Sequence, residues 1–304
     1  MAVAKSDGIV AVGTIGIDTV ETPYGKAEEA MGGSGTFFAI AGSLLAPVNL
    51  VSLVGTDFDR WAEFDRPGLD TEGVKVVEGD TFRWGGKYHD DINKRDTTFT
   101  DLGVIADNLP DVPESYRACR TVCLANVDPP QQLMVLDALD NPDLVVADTM
   151  NFWISSDREN LEKVIARSNV LILNDDEGRQ LTGKLNVTDI LLDIQRMGPE
   201  YVVLKKGEHG ALLALGDEYF AVPGYPLLRV VDPTGAGDTF AAGFTAWLHR
   251  TGDKSAESMK TAAVYGSAMA SFCCEDFSTR RLQEITIDDI ENRVEKFRRL
   301  VRFN

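Results

Sequence analysis

Short apolar runs recur along this chain, separated by polar segments of helical period. Ile9–Gly13, Asn49–Val54, Val122–Ala125, Leu144–Ala147, Val170–Leu173 and Tyr201–Leu204 are β-rich and bounded by polar residues. Helical patterns lie between or beside them at about Gly35–Leu45, Pro130–Leu139, Arg158–Arg167, Asp175–Thr182 and Val187–Met197. Continuous apolar strands alternating with amphipathic helices predict a mostly parallel sheet covered on both faces. Ala211–Leu215 and Glu218–Val222 read as a hairpin through Gly216-Asp217. The last third reads as helices at Gly237–His249, Ala256–Phe272 and Ile287–Val301.

One region breaks this pattern. Val74–Leu102 alternates apolar and polar residues and carries turn signals at Gly79-Asp80, Gly85-Gly86 and Asn93-Lys94. It predicts a small antiparallel sheet whose aromatics, Phe82, Trp84 and Tyr88, are too many for one solvated face. Such a sheet covers either a substrate cleft, as a lid, or a partner subunit. With no linker, repeat or low-complexity tract, the chain reads as a single domain over residues 1–304. Its lid insert is expected from about 15–25 and 74–104.

Composition removes several function classes. A net charge of −18 over 304 residues argues against nucleic acid or anionic lipid as a partner, because both are bound through Lys and Arg. No apolar run approaches the roughly 18 residues a membrane span needs, and the first residues, with one lysine and leading directly into a strand, are not expected to act as a signal peptide. Cys119, Cys123, Cys273 and Cys274 form no metal or disulfide framework. A reduced, cytoplasmic protein is expected.

Chemistry concentrates in Val231-Asp232-Pro233-Thr234-Gly235-Ala236-Gly237-Asp238-Thr239-Phe240, read as an apolar strand ("LLRV"), a Pro-Thr turn, three small residues, an aspartate and a helix. Amides at a helix N-terminus attract an anion, and the same field keeps Asp238 ionised. An anion cradle beside a carboxylate suits phosphoryl transfer to a hydroxyl, with Asp238 taking the proton. A simple helix cap fits the local pattern equally well.

Other positions are open in the same way. Gly32-Gly33-Ser34-Gly35 enters a helix, but Phe38 stands where a dinucleotide fingerprint needs glycine, leaving a backbone floor for a small polar ligand. Asp18 follows the first strand, where it could accept hydrogen bonds from vicinal hydroxyls or serve as a turn residue. Asn174-Asp175-Asp176-Glu177 at a strand end suits hydrated magnesium and phosphate, or acidic capping of the next helix. Gly178–Leu185 imitates a P-loop but lacks its Ser/Thr and its preceding strand. Lys205–Gly210 ends a strand in a charged glycine turn, either a phosphate contact or a hairpin entry. His89, His209 and His249 are isolated, and no nucleophile elbow is present.

Together, "DPTGAGD", Asn174-x-x-Glu177, the Gly32-Gly33 turn and Asp18 resemble the ribokinase/PfkB family of carbohydrate and nucleoside kinases over nearly the whole chain. The resemblance implies a ribokinase-like three-layer α/β sandwich with a mostly parallel central sheet and a small antiparallel β-lid. It also implies an ATP- and Mg2+-dependent phosphotransferase with Asp238 as base and the amides of Gly235, Ala236 and Gly237 as an anion hole. Asn174, Lys205, Gly207, Gly210 and Thr234 match nucleotide contacts, with Lys205 where sugar kinases often carry Thr, and Glu177 matches a magnesium contact through water. Asp18, Gly32, Gly33, Thr36, Phe37 and Trp84 would form the acceptor pocket. Phe37 stands where the family usually has a sugar-binding asparagine, and aromatic faces suit a nucleobase. The resemblance therefore favours the ribose 5′-hydroxyl of a nucleoside over a free sugar such as ribose or fructose. A non-catalytic nucleotide sensor on the same fold is the third reading. A homodimer through the β-lid is a further expectation.

Overall fold

A computed structural model describes residues 5–302 of the chain; the outermost residues of the expected 1–304 domain, and the start of the N-terminal segment, lie outside them. The strands are β1 (Ile9–Val12), β2 (Gly16–Thr22), β3 (Gly25–Gly32), β4 (Val48–Gly55), β5 (Leu69–Val77), β6 (Phe82–Tyr88), β7 (Arg95–Asp101), β8 (Thr121–Leu124), β9 (Leu144–Asp148), β10 (Val170–Asn174), β11 (Tyr201–Lys205), β12 (Ala211–Leu215) and β13 (Glu218–Val222). The helices are α1 (Ser34–Gly42), α2 (Pro129–Ala138), α3 (Asn151–Ser156), α4 (Arg158–Ala166), α5 (Asp175–Thr182), α6 (Val187–Arg196), α7 (Ala236–Thr251), α8 (Ala256–Cys273), α9 (Arg280–Glu284) and α10 (Ile287–Val301).

Nine strands form the main sheet in the order β13-β12-β11-β10-β9-β8-β1-β4-β5. Pairing is parallel from β11 through β5 and antiparallel only at the β11-β12-β13 edge. The period-2 alternation of side chains divides each inner strand between two cores. Ile9 and Ala11 of β1 join Phe37, Phe240, Phe244, Met269 and Phe297 under α1, α7, α8 and α10. Val10 and Val12 join Val135, Leu161, Val164 and Ile190 under α2, α4 and α6. Both strand faces must therefore be apolar, which is why these strands read as unbroken hydrophobic runs.

The second sheet has the order β3-β2-β6-β7. It differs from the expected lid in three respects. Its strands run through 16–32 and 82–101, because the Glu28-Glu29 stretch continues the hairpin as β3. Val74–Val77 belongs to β5, the half-exposed edge of the main sheet, where one covered face produces the same alternation. The lid is also mixed, since β2 and β6 pair in parallel. Finally, Leu227–Val230 is not a strand; it approaches α7 as irregular chain, with Leu228 fully exposed.

Thr81, fully buried, anchors one root of the lid. Its hydroxyl accepts from the Gly55 amide at 3.0 Å, and Asp57 accepts from both the Thr81 amide and hydroxyl, at 2.7 and 2.6 Å. Asp57 also pairs with Arg83 of β6 at 3.0 Å.

Candidate active site

The C-terminal ends of the parallel strands carry the polar groups, as expected for an open α/β sheet. Asp148 ends β9, Asn174 ends β10 and Lys205 ends β11. The Lys205 ammonium reaches across β10 to Asp148 at 3.1 Å, and both side chains are largely buried. Burial opposes the charge on Lys205, but Asp148, Glu177 and Asp238 around it hold its pKa above the ordinary lysine value. Sequence reasoning missed Asp148, although a carboxylate ending an apolar strand is the same signal that singled out Asp18.

Asn174 and Glu177 form a reciprocal capping box at the start of α5. The Asn174 side chain accepts from the Glu177 amide at 2.8 Å, and Glu177 accepts from the Asn174 amide at 2.7 Å. One Glu177 oxygen is thus engaged by backbone. Burial, with Asp148 and Asp238 nearby, lifts its carboxyl to about 7 against the pull of Lys205.

Gly235 precedes α7 in the left-handed conformation, φ 77°. A Cβ there would lie 2.3 Å from the Phe37 ring, so the turn is pressed flat on that ring. Phe37 is 1% exposed. It is therefore packing beneath the turn, and offers no open face for the base stacking read from its sequence position. The Ala236 amide donates to the Pro233 carbonyl at 3.2 Å, closing the turn on itself. Among the described residues, no hydrogen bond occupies the Gly235 or Gly237 amide. Gly237 approaches Lys205 so closely that an added Cβ would sit 2.9 Å from Nζ. Asp238 follows in the first turn; burial foremost, then Asp148, raises its carboxyl to about 7, with Lys205 opposing.

Asp232, missed as a site residue, organises this turn from below. It is 1% exposed, and its two oxygens accept from the Thr234 amide at 2.8 Å and the Ser278 amide at 3.1 Å. Ser278, at φ 57°, donates its hydroxyl to the Met31 carbonyl of β3 at 2.6 Å. Thr234 Oγ1 lies 3.2 Å from the Tyr88 hydroxyl of β6. The lid and the turn are thus joined twice.

Asp18, on β2, is 4% exposed and lies flat over Gly32, where any Cβ would come within 2.0 Å of its carboxyl. Its Oδ1 is buried with no hydrogen-bond partner among the described residues, as is the Thr36 hydroxyl. Burial foremost, with Asp232 and Asp238, raises its carboxyl to about 8, while the Gly33 amide and Arg95 act the other way. A small cavity is lined by Asp18, Val20, Met31, Phe37, Asp232 and Thr234. Trp84 pairs with Asp18 in register on β6, but its ring lies across Gly86 and is covered by the Arg95 guanidinium, 4.9 Å from the ring centroid. At the far end, Gly207 and Gly210 bound a single turn after β11, and a Cβ on Gly207 would meet Asn93 of the lid tip at 2.8 Å.

Asp18, Gly32, Gly33 and Thr36 thus gather on one side of the α7 turn and Asn174, Glu177 and Lys205 on the other, with Asp238 in the electrostatic reach of Asp18, Asp148 and Lys205. The oxygen-rich, dominantly anionic donor set of Asp148, Glu177 and Asp238 fits magnesium, which keeps most of its water and binds through substrate phosphates. Among the described residues no three His, Cys, Asp or Glu side chains converge as direct ligands.

The pfkB family carbohydrate kinase model matches residues 131–285, about half of the chain, spanning Asp148, Asn174, Lys205 and the Asp232–Asp238 turn. A cytidine kinase of Thermococcus kodakarensis is 30% identical over 80% of this chain and 88% of its own. The chain belongs to the pfkB family. As a member, it is a phosphotransferase acting on an alcohol group. A nucleoside kinase of Methanothermobacter thermautotrophicus is 27% identical over 88% of this chain and 84% of its own. Among solved structures, the Methanocaldococcus jannaschii nucleoside kinase, a ribokinase-family member, is 21% identical with a TM-score of 0.75 over 95% of this chain and 98% of its own. Giardia lamblia ribokinase is 17% identical with a TM-score of 0.80 over 96% and 100%. These likenesses give the pfkB chain a ribokinase-like fold. Among the described residues, no helix is long and apolar enough to cross a membrane.

Proposed function

We propose that this pfkB-family chain transfers the γ-phosphate of ATP to the ribose 5′-hydroxyl of a nucleoside, with Asp238 as general base. The observation that carries the reading is the pair of carboxylates Asp18 and Asp238, close enough to act on each other electrostatically. Asp18 holds a buried oxygen without a partner at the acceptor end, and Asp238 stands in the first turn of α7. Vicinal ribose hydroxyls would satisfy Asp18 and leave the primary hydroxyl for Asp238. A proton acceptor lifted to about 7 is matched to work at neutral pH.

The remaining roles follow from position. The Gly235 and Gly237 amides and the α7 dipole take up negative charge on the transferring phosphoryl group, and Lys205 adds a cation beside Gly237. Asn174, Gly207, Gly210 and Thr234 bound the nucleotide side, and Glu177 would hold magnesium through water. Bound magnesium would neutralise and align the phosphate oxygens of ATP. The names of the relatives with the longest matches support a nucleoside as acceptor.

A free sugar is the competing acceptor, favoured by the family's carbohydrate-kinase description and by the ribokinase neighbour. Turnover of a panel of nucleosides and free sugars with ATP and magnesium decides between them. The nucleoside reading expects the higher kcat/KM for a nucleoside, and a free sugar turned over faster would overturn it. Asp238→Asn should lower kcat roughly 10²–10⁴-fold while ATP still binds.

A further inference from the structure

A lysine ammonium carries three N–H donors. Lys205 Nζ directs them at one side chain, donating to Asp148 Oδ2 at 3.1 Å and, more weakly, to Oδ1 at 3.5 Å. Among the described residues it has no other hydrogen-bond partner. The side chain is only 17% exposed, so a donor is left in a poorly solvated place without an acceptor. Gly237 gives the location, since an added Cβ there would lie 2.9 Å from Nζ. An unfilled N–H beside the start of α7 suits an anionic oxygen.

Asp148 holds this ammonium from a rigid base. Its Oδ1 accepts from the Thr149 amide at 2.8 Å, which fixes the plane of the carboxylate. Its carbonyl accepts from the side chain of Gln132, buried in α2, at 3.1 Å. The same Gln132 nitrogen donates to the carbonyls of Leu124 and Ala125 at 3.2 and 3.0 Å. One buried amide thus clamps the ends of β8 and β9 together, and the Asp148 carboxylate stands on that clamp.

The lysine stem is flexible, and two other carboxylates lie near it. Asn174 is opposite Lys205 in the β10–β11 register, and Glu177 accepts from the Asn174 amide. Asp238 follows Gly237 in α7. An ammonium paired with Glu177 would block the contact assigned to magnesium, and one paired with Asp238 would occupy the base. Among the described residues neither carboxylate forms an ion pair with Lys205; Asp148 takes the ammonium from the side of β9.

We propose that Asp148 is a positioning residue for phosphoryl transfer: it anchors the Lys205 ammonium beside Gly237, leaving its remaining donors for the transferring phosphoryl oxygens and keeping it off Glu177 and Asp238. It acts through Lys205 and does not touch the reacting atoms. The proposal rests on the assignment of the α7 turn to the phosphoryl group.

A double-mutant cycle in the full chain tests it, with Asp148→Asn, Lys205→Met and the two combined. The first readout is steady-state kinetics with the best nucleoside, ATP and magnesium. Asp148→Asn should lower kcat about 10–10²-fold, the effect of a catalytic group misplaced by roughly 1 Å, with KM for the nucleoside within about twofold. Added to Lys205→Met, it should lower kcat no further. Asp148→Glu keeps the charge of the pair but lengthens the anchor by one methylene. It should also lose kcat, and nothing more when Lys205 is already Met. The second readout needs no acceptor: calorimetric binding of a non-hydrolysable ATP analogue and of ADP, each at saturating magnesium. The preference for the analogue should fall about tenfold in Asp148→Asn, as for one charged hydrogen bond lost, and the double variant should match Lys205→Met. Additive losses in either readout overturn the proposal, because Asp148 would then act without Lys205. So does a higher magnesium requirement on adding Asp148→Asn to Lys205→Met, which would make Asp148 a metal contact. If the unmodified chain turns over no nucleoside, the acceptor reading fails, and the binding cycle still decides the role of Asp148.

Discussion

Lys205 and Asp148 end strands that are not neighbours, yet their side chains meet at 3.1 Å over the end of β10. The pair therefore closes the floor between the acidic helix start of α5 and the first turn of α7. Lys205→Met leaves Asp148 buried without its cation, a loss of about 3 kcal/mol in stability. It also removes a cation that opposes the raised pKa of Asp238. The acid limb of kcat should move to higher pH, and kcat at pH 7 should fall by at least tenfold. A pH-rate profile of the variant superimposable on the original would refute the assignment.

Asp18 is raised to about 8, and Glu177 and Asp238 to about 7. Their unfolded values lie near ~4. Between these limits the folded chain holds protons that the unfolded chain has released, so stability falls as pH rises. His249, held below its ordinary value by burial, acts in the opposite sense, but only below about 6.5. Between pH 6.5 and 8 the ligand-free protein should therefore lose Tm. Calorimetry in chelator at the two pH values checks this, and a higher Tm at pH 8 would contradict the three burial assignments.

Gly32 lies directly under the Asp18 carboxyl. Gly32→Ala must push that carboxyl out of place, because a Cβ would come within 2.0 Å of it. KM for the acceptor should rise by at least tenfold while KM for ATP stays within about twofold, consistent with loss of a charge-assisted hydrogen bond. Steady-state kinetics with each substrate varied in turn measures the split; an equal rise in both constants would place Asp18 elsewhere in the reaction.

Tyr88→Phe removes the hydroxyl that meets Thr234 at 3.2 Å and leaves the packing with Val20 and Phe277 intact. One such hydrogen bond contributes about 1 kcal/mol. The expected outcome is a several-fold weaker acceptor KM with a Tm within a few degrees of the original. If Tm drops sharply and KM does not change, the contact is structural and does not tie the lid to the turn.

Most of the body was legible in the sequence because its elements obey a simple local rule. Strands buried on both faces are continuous apolar runs, and the helices beside them alternate at their own period, so β8 to β13 and α4 to α6 were read within a residue or two. The lid was less legible: β2 and β3 carry several charged residues, and β2 pairs in parallel with β6, which lies far along the chain (Gly16 opposite Phe82). The edge strand β5 imitates their alternation. In the site, Asp238 and Asn174 carried local signals of helix start and strand end, whereas Asp18, read as following the first strand, lies inside β2. The pairing of Asp148 with Lys205 required the strand order, which brings together ends separated by 57 residues. Phe37 was misread because a residue beside a glycine turn can point at a ligand or beneath the turn, and only the φ of Gly235 with the burial of Phe37 distinguishes these.

The lid joins the body at four places, after Gly13, at Gly33, at Asp80-Thr81 and at Gly103, each only a few residues from a strand end. Its strands nevertheless come from two separate stretches of chain, joined through the parallel β2–β6 pairing. For engineering, this makes the lid a two-part cassette. Residues 16–32 and 82–101 would have to be exchanged together between relatives, because either segment alone would leave half a sheet facing a foreign edge. If Asp18 contacts the acceptor as proposed, acceptor preference would move only with the pair, since Asp18 is on one segment and Tyr88, which meets Thr234, is on the other.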